Sequence, residues 1–232
     1  MDYSNKIRRK RWPRILLIIV LAVILFFLAM STFYFIGEIK NAKLKSSRAG
    51  QIRQLAESDQ IYNAAAGDHY WLGSEDAKIT VVEFGDFACP VCLSAFPTVR
   101  EISLKYKNDI KFIWRDFPVV VENYSAALAL AGRCAGEQGL FWSMHDRLFQ
   151  NQSANQLNQA ALTNLANQIG ADTDKFNNCL IQEKYLPQIQ KDLLDGQAFG
   201  ISGTPTYFIN GYKIVGDIPY DTFVKIIEEL KK

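Results

Sequence analysis

The chain has 232 residues, of which 26 are Lys or Arg and 24 are Asp or Glu, so its formal net charge is +2. The excess of positive charge lies in one cluster near the N-terminus, at residues 6–14, and not across a folded face, which argues against binding to DNA or RNA. The full chain is 49% hydrophobic and 12% aromatic, and the part after the N-terminal residues keeps enough apolar side chains to bury a core of ordinary size.

The first predicted element is a membrane span at residues 15–37, where no side chain is charged. As a helix rising about 1.5 Å per residue it is about 34 Å long, enough to cross a hydrocarbon core of about 30 Å. The basic residues 1–14 precede it, which predicts a cytoplasmic tail and an extracytoplasmic C-terminal part. The alternative is a cleaved signal peptide, but the bulky segment 31–35 favours an uncleaved anchor. Either segment leads the rest of the chain into an oxidising compartment.

Residues 38–68 are polar and predict a stalk or linker, followed by a domain at 69–232. In that domain, residues 79–84 are β-branched and apolar, which is typical of a buried central strand. A helical pattern then starts at Cys89-Pro90-Val91-Cys92 and continues to Tyr106, and a second strand is predicted at 110–117.

A helical insertion is predicted at about residues 122–199, with helices at 126–136, 141–149, 157–169, 173–181 and 186–199. The chain then returns to strand character at 206–210 and 212–215, joined by Asn210-Gly211, a strong hairpin signal. A final amphipathic helix is predicted at 219–230. This order favours an α/β fold with one mixed sheet flanked by helices.

The strongest chemical signal is the pair Cys89 and Cys92 at a strand-to-helix junction. The helix dipole and the free amides of the first turn stabilise a thiolate there, so Cys89 is the predicted nucleophile. Two intervening residues leave Cys92 within reach, so that it can resolve a mixed disulfide with a substrate. The same spacing occurs in zinc sites, but the two histidines and the two other cysteines do not form a matching ligand pattern. Neither a metal nor another cofactor is predicted.

Glu83 lies in the apolar strand, six residues before Cys89, where a buried charge needs a reason. A carboxylate under the dithiol can take the proton of Cys92, and burial is expected to raise the pKa of such a carboxyl group. The alternative is an acid that faces solvent at the edge of the sheet. Asp86 is a second candidate for the same proton.

Three segments resemble the DsbA-like thiol:disulfide oxidoreductases of the thioredoxin superfamily, over roughly Tyr70 to the C-terminus. VVEFGDFACPVC resembles the strand and active-site segment, AGEQGLFWSMHDRLF the helical subdomain, and SGTPTYFING the loop with the cis-proline. The resemblance implies a thioredoxin-like sheet with an inserted helical subdomain, and an acid at position 83. It makes Cys89 the attacking and Cys92 the resolving cysteine. It also makes Pro205 the cis-proline, with Thr204 lying against the dithiol and hydrogen-bonding an extended substrate.

Cys134 and Cys179 lie on two predicted helices of the insertion, and a second cysteine pair in an oxidising compartment most often forms a structural disulfide. Some relatives of the family have a comparable bridge. The alternative is two unpaired buried thiols. His145 resembles a packing position of the family and is not predicted to be catalytic.

The predicted function is to form, reduce or rearrange disulfides in exported proteins, with oxidation favoured. Pro90 and Val91 provide no histidine between the cysteines, unlike the strongest oxidants of the family, which implies a moderate reduction potential. An oxidase needs a membrane partner of the DsbB or vitamin K epoxide reductase type to reoxidise it. The alternatives are a redox-inactive protein-binding or chaperone module on the same fold and a metal-binding protein.

Overall fold

The computed structural model describes residues 16–17, 19–36, 38–39, 60–67, 69–119, 122–152 and 157–232. The chain divides into two compact units, Met1–Ala56 and Glu57–Lys232. In the first unit, helix α1 includes Ile19–Ile36 and is long and apolar enough to cross a membrane, a test that a signal sequence also passes. The predicted basic tail at 1–14 and most of the predicted stalk lie outside the described residues.

The second unit is built around a five-stranded mixed sheet. Its strands in chain order are β1 (Trp71–Gly73), β2 (Ile79–Gly85), β3 (Ile110–Asp116), β4 (Thr206–Ile209) and β5 (Tyr212–Val215). They are arranged as β1-β3-β2-β4-β5. Only β2 and β3 run parallel to each other, and the other neighbouring pairs are antiparallel. The predicted mixed sheet is confirmed, and β1 is an addition that the sequence pattern did not indicate.

Seven helices complete the described part of this unit. They are α2 (Pro90–Lys105), α3 (Glu122–Gly136), α4 (Phe141–Gln150), α5 (Gln159–Gln168), α6 (Thr173–Ile181), α7 (Leu186–Ala198) and α8 (Tyr220–Leu230). Helices α3 to α7 lie between β3 and β4 in the chain and form the predicted insertion. Cys134 on α3 and Cys179 on α6 form a disulfide, with their Cα atoms 5.7 Å apart.

The central strand β2 supplies side chains to both faces of the sheet, because successive residues of a strand point in opposite directions. Val81 belongs to a core shared with α2 and α8. Val82 and Phe84 belong to the core on the opposite face, which includes residues of β4 and packs against residues near the C-terminal end of α7. Glu83 therefore points to the same side as Val81, toward α2.

The packed unit starts earlier than the predicted boundary at residue 69. Ala64 is buried in the core beside Phe208. The backbone N–H of Tyr62 donates to the carbonyl of Gly211 at 3.0 Å, and its ring lies 5.3 Å from that of Phe208. Residues 60–67 thus extend the domain and are not part of a stalk. Their apolar residues follow neither a helical nor a strand period, so they carry no signal in the sequence.

Buried ion pairs connect the helical insertion to the sheet. Arg133 on α3 donates to Asp116 on β3 and to Asp192 on α7, both at 2.5 Å. Arg115 on β3 donates to the other oxygen of Asp192 at 2.8 Å and also pairs with Asp195. Each of these charges therefore has a partner of opposite sign, and the pairs connect α3 and α7 to β3.

Candidate active site

The loop between β2 and α2 is organised by the carboxylate of Asp86. One of its oxygens accepts from the backbone N–H of Ala88 at 2.8 Å, and the other accepts from that of Val119 at 2.9 Å. The backbone N–H of Cys89 donates to the carbonyl of Asp86 at 3.0 Å. Asp86 therefore holds two loops together, and these contacts favour a structural role over that of a proton acceptor.

Cys89 occupies the N-cap position of α2, without a side-chain capping hydrogen bond, and Pro90 is the first helical residue. The structure holds Cys89 and Cys92 as free thiols. A hydrogen bond from the Cys92 thiol has the largest effect on the pKa of Cys89, which falls to about 5 although burial opposes the change. The Thr204 side chain and the backbone N–H groups of Cys92 and Val91 lower it further. The thiolate thus lies where the unpaired amides of a helix start concentrate positive charge.

The pKa of Cys92 is shifted in the opposite direction from that of Cys89. Its side chain is buried, and burial raises the pKa of its thiol far above the ordinary value. The hydrogen bond that it donates to Cys89 acts in the same direction, and so does the charge of Glu83 when that carboxyl group is ionised. One cysteine of the pair is therefore a stable thiolate and the other a stable thiol.

The predicted cis-proline loop lies against this pair. The Thr204-Pro205 peptide bond is cis. The Cys89 thiol donates to the carbonyl of Thr204, with sulfur and oxygen 3.3 Å apart. Among the described residues the buried Thr204 hydroxyl has no hydrogen-bond partner while Cys89 is protonated. It can therefore donate a hydrogen bond to Cys89 once that thiol has ionised. The carbonyl of Pro205 accepts from the N–H of Gly216 at 2.8 Å, which ties the loop to the end of β5.

Glu83 is buried in the middle of the sheet, because β2 lies between β3 and β4. The alternative of a solvent-facing acid at the edge of the sheet is therefore wrong. Burial raises the pKa of Glu83 to about 8, and the charges of Asp217 and Cys89 add to the effect. The Tyr207 hydroxyl, which donates to Glu83 at 3.4 Å, opposes it. At neutral pH the Glu83 carboxyl therefore carries a proton next to the dithiol.

The helical insertion also shapes the site, through residues that the sequence did not single out. Phe87 is buried and stacks on Trp114, with ring centroids 4.7 Å apart. The ring of His145 lies 4.9 Å from that of Trp114, in agreement with its predicted packing role, and burial lowers its pKa. Gln152 donates to the carbonyls of Phe87 and Cys89. No sequence signal distinguishes Gln152 from the other glutamines of the insertion.

Within the described ranges, no three His, Cys, Asp or Glu side chains lie close enough together to hold a metal ion. The groups that the site does bring together are two thiols and a nearby carboxyl group. A pair with one stabilised thiolate and one buried thiol can exchange disulfides through a mixed disulfide on Cys89.

Comparisons with known proteins agree with this geometry. The thioredoxin family model matches residues 65–229. The crystal structure of oxidised BdbD from Bacillus subtilis superposes with a TM-score of 0.63 at 29% identity, covering 75% of this chain and 98% of that one. The catalytic domain of Proteus mirabilis ScsC gives 0.63 at 26% identity, covering 78% and 99%.

The curated relatives that match are longer proteins. Na(+)/H(+) antiporter NhaA 1 of Salinispora arenicola is 39% identical over 140 residues, which is 60% of this chain and 21% of that protein. The chain therefore spans about a fifth of the length of the curated relatives. The family model covers more than half of the chain, so the chain belongs to the thioredoxin family, in agreement with its structural neighbours and with the cysteine pair at the start of α2.

Proposed function

We propose that the chain is an oxidase, which passes the disulfide between Cys89 and Cys92 to cysteine pairs of exported proteins. The observation that carries this proposal is the low pKa of Cys89, about 5. A thiolate exists only in the reduced enzyme, so whatever stabilises it favours the dithiol form and makes the disulfide form a stronger oxidant.

The size of this effect follows from the pKa. With a pKa of about 5 in place of 9.0, Cys89 stabilises the dithiol at pH 7 by up to about a hundredfold. For a two-electron couple this corresponds to at most about 60 mV. Such a contribution supports a potential on the oxidising side of ordinary dithiols, even without a histidine between the cysteines.

In the proposed reaction, a substrate thiolate attacks the sulfur of Cys89, and the Cys89–Cys92 bond breaks. Cys92 leaves with the electron pair and takes a proton from Glu83, which is protonated at neutral pH. Because a Cys92 thiolate is strongly disfavoured in its buried position, this proton makes it a better leaving group.

A second substrate thiolate then attacks the substrate sulfur of the mixed disulfide and releases Cys89 as a thiolate. Two electrons have passed from the substrate to the enzyme. Thr204, next to Cys89, is the proposed partner for the backbone of an extended substrate, and Pro205 positions it.

We further propose that α1 is an uncleaved anchor, with the basic residues 1–14 in the cytoplasm and the dithiol domain outside. A membrane protein of the DsbB or vitamin K epoxide reductase type would then reoxidise the dithiol. The length and composition of α1 support this arrangement.

The test is the reduction potential of the Cys89/Cys92 pair, measured on the full chain in detergent against glutathione buffers. The Cys134→Ser/Cys179→Ser variant serves as a control, because it leaves the active-site pair as the only one that can respond. We expect a value nearer to about −120 mV than to about −270 mV. A value near about −270 mV would indicate a reductase. A pair that does not cycle would favour a redox-inactive protein-binding module.

A further inference from the structure

Gln152 connects the helical insertion directly to the active-site loop. Its side-chain amide donates to the carbonyl of Phe87 at 2.7 Å and to that of Cys89 at 3.0 Å. Because both partners are carbonyl oxygens, only the nitrogen end of the amide can satisfy them. The loop and α4 are 63 residues apart in the chain at this contact, so it is a tertiary interaction.

The position of this amide is fixed from the α4 side. Gln152 follows the C-terminus of α4, and its backbone N–H donates to the carbonyl of Phe149 at 3.2 Å. The Phe149 ring lies 5.2 Å from the ring of Phe87. The helix therefore contacts the loop through a side-chain ring and through a hydrogen-bonded amide a few residues further on.

The Cys89 carbonyl accepts two hydrogen bonds, one within α2 and one from Gln152. It accepts from the N–H of Leu93 at 3.1 Å, which is the first hydrogen bond of α2, and from Gln152 at 3.0 Å. Both of its lone pairs are used, so the peptide plane between Cys89 and Pro90 has a defined orientation. In that orientation the carbonyl dipole is directed toward Gln152. The N–H groups of Val91 and Cys92 then remain free to donate hydrogen bonds to the Cys89 sulfur.

We propose that Gln152 is a positioning residue, which holds the active-site loop in the conformation where the start of α2 stabilises the Cys89 thiolate. This inference rests on the proposed function, since it concerns the reactivity of the same dithiol. Without the amide, the Phe87 and Cys89 carbonyls lose a donor and the first turn of α2 loosens. The backbone N–H groups then stabilise the thiolate less.

The test compares Gln152→Met, which keeps the length of the side chain and removes the donor, with Asn151→Leu as a matched control. Asn151 is the neighbouring residue, and its amide donates to the carbonyl of Arg147 within α4. Alkylation of Cys89 by iodoacetamide is measured against pH on the reduced full chain, with circular dichroism to verify folding. Cys92→Ser is not used, because Cys92 itself stabilises the thiolate.

We expect the alkylation midpoint of Gln152→Met to move up by about one pH unit, since lost hydrogen bonds of this kind change an equilibrium by up to about tenfold. At about pH 5 the alkylation rate would then be about fivefold lower than in the parent. Asn151→Leu should follow the parent profile. A Gln152→Met profile that coincides with that of the parent would overturn the inference.

If Gln152→Met does not fold, Gln152→Glu replaces it, because a carboxylate has the same shape but only accepts hydrogen bonds. Its midpoint should rise at least as far, and an unchanged midpoint would again overturn the inference. Failure of the proposed function looks different. In that case the parent itself fails to oxidise a reduced substrate protein, whatever the alkylation profile of the Gln152 variants.

Discussion

Replacing Glu83 with Gln should stabilise the oxidised protein while it impairs the enzyme. The pKa of Glu83 is about 8 in the folded protein, against an ordinary value of 4.5, and burial is the main cause. Because the folded carboxyl stays protonated at pH 7 while the unfolded one ionises, the difference destabilises the fold by at most about 3 kcal/mol. Gln carries no ionisable group, so Glu83→Gln removes this term.

The direction of the pH dependence follows from proton binding. Between pH 4.5 and about 8 the folded state holds more protons at Glu83 than the unfolded state. The contribution of Glu83 to the stability of the oxidised parent should therefore fall as the pH rises through this range. The Tyr207 hydroxyl can also donate to an amide oxygen, so we expect Glu83→Gln to gain about 2 kcal/mol at pH 7.

The assay is urea unfolding of the oxidised full chain at about pH 5 and about pH 8, for the parent and for Glu83→Gln. In the oxidised protein the two active-site cysteines do not titrate, and the difference between the parent and Glu83→Gln removes the other groups that both proteins share. Glu101→Gln, at an exposed position of α2, is the control and should follow the parent. If the gap between Glu83→Gln and the parent is the same at both pH values, the reasoning is refuted.

The reduced protein provides a second check, because Cys89 acts in the opposite direction. Its pKa is lowered from 9.0 to about 5, so the folded state releases a proton that the unfolded state keeps. Cys89 therefore contributes stability that is lost as the pH falls through about 5. The pH slope of the reduced parent should be flatter than that of the oxidised parent. Turnover of Glu83→Gln should fall by about tenfold or more, since Cys92 then lacks its proton donor.

Three further results are expected. Alkylation of the reduced parent should reach half of its maximal rate near pH 5 and disappear in Cys89→Ser, and a midpoint near the ordinary thiol pKa would contradict the thiolate. Cys134→Ser/Cys179→Ser opens a loop with a sequence separation of 45 residues and should lose up to about 4 kcal/mol in urea unfolding, without moving that midpoint. Arg133→Met removes a cationic partner of two buried carboxylates, of which Asp192 keeps Arg115, and should lose about 3 kcal/mol. Lys184→Met, at an exposed ion pair, should unfold at nearly the parent's urea concentration.

Several features of the site are readable in the sequence because they depend on neighbours along the chain. The reactivity of Cys89 follows from its place at the first turn of a helix, and Pro90 at the first helical position marks that turn. The hairpin at Asn210-Gly211 likewise depends on the backbone preferences of two adjacent residues, and the structure has both in the left-handed region.

Glu83 is an example of a residue whose burial the local sequence pattern does not predict. The strand pattern is compatible with a buried acid and with one at the edge of the sheet. The choice depends on whether β2 has neighbours on both sides, and one of them is β4, more than a hundred residues further along the chain. The same holds for residues 60–67, whose burial depends on β4 and on the hairpin that follows it.

The sequence by itself determined the mixed α/β architecture, the helices between β3 and β4, and the place of the cysteine pair at the start of a helix. Only the tertiary structure decided which groups surround that pair. Thr204 lies 115 residues from Cys89 in the chain, and Gln152 lies 63 residues away. Spacing and periodicity report on contacts within a helix turn or along a strand, whereas these contacts form only once the sheet and the insertion have packed. The pKa values of Cys89 and Glu83 depend on that packing, because burial and hydrogen bonds are properties of the assembled site.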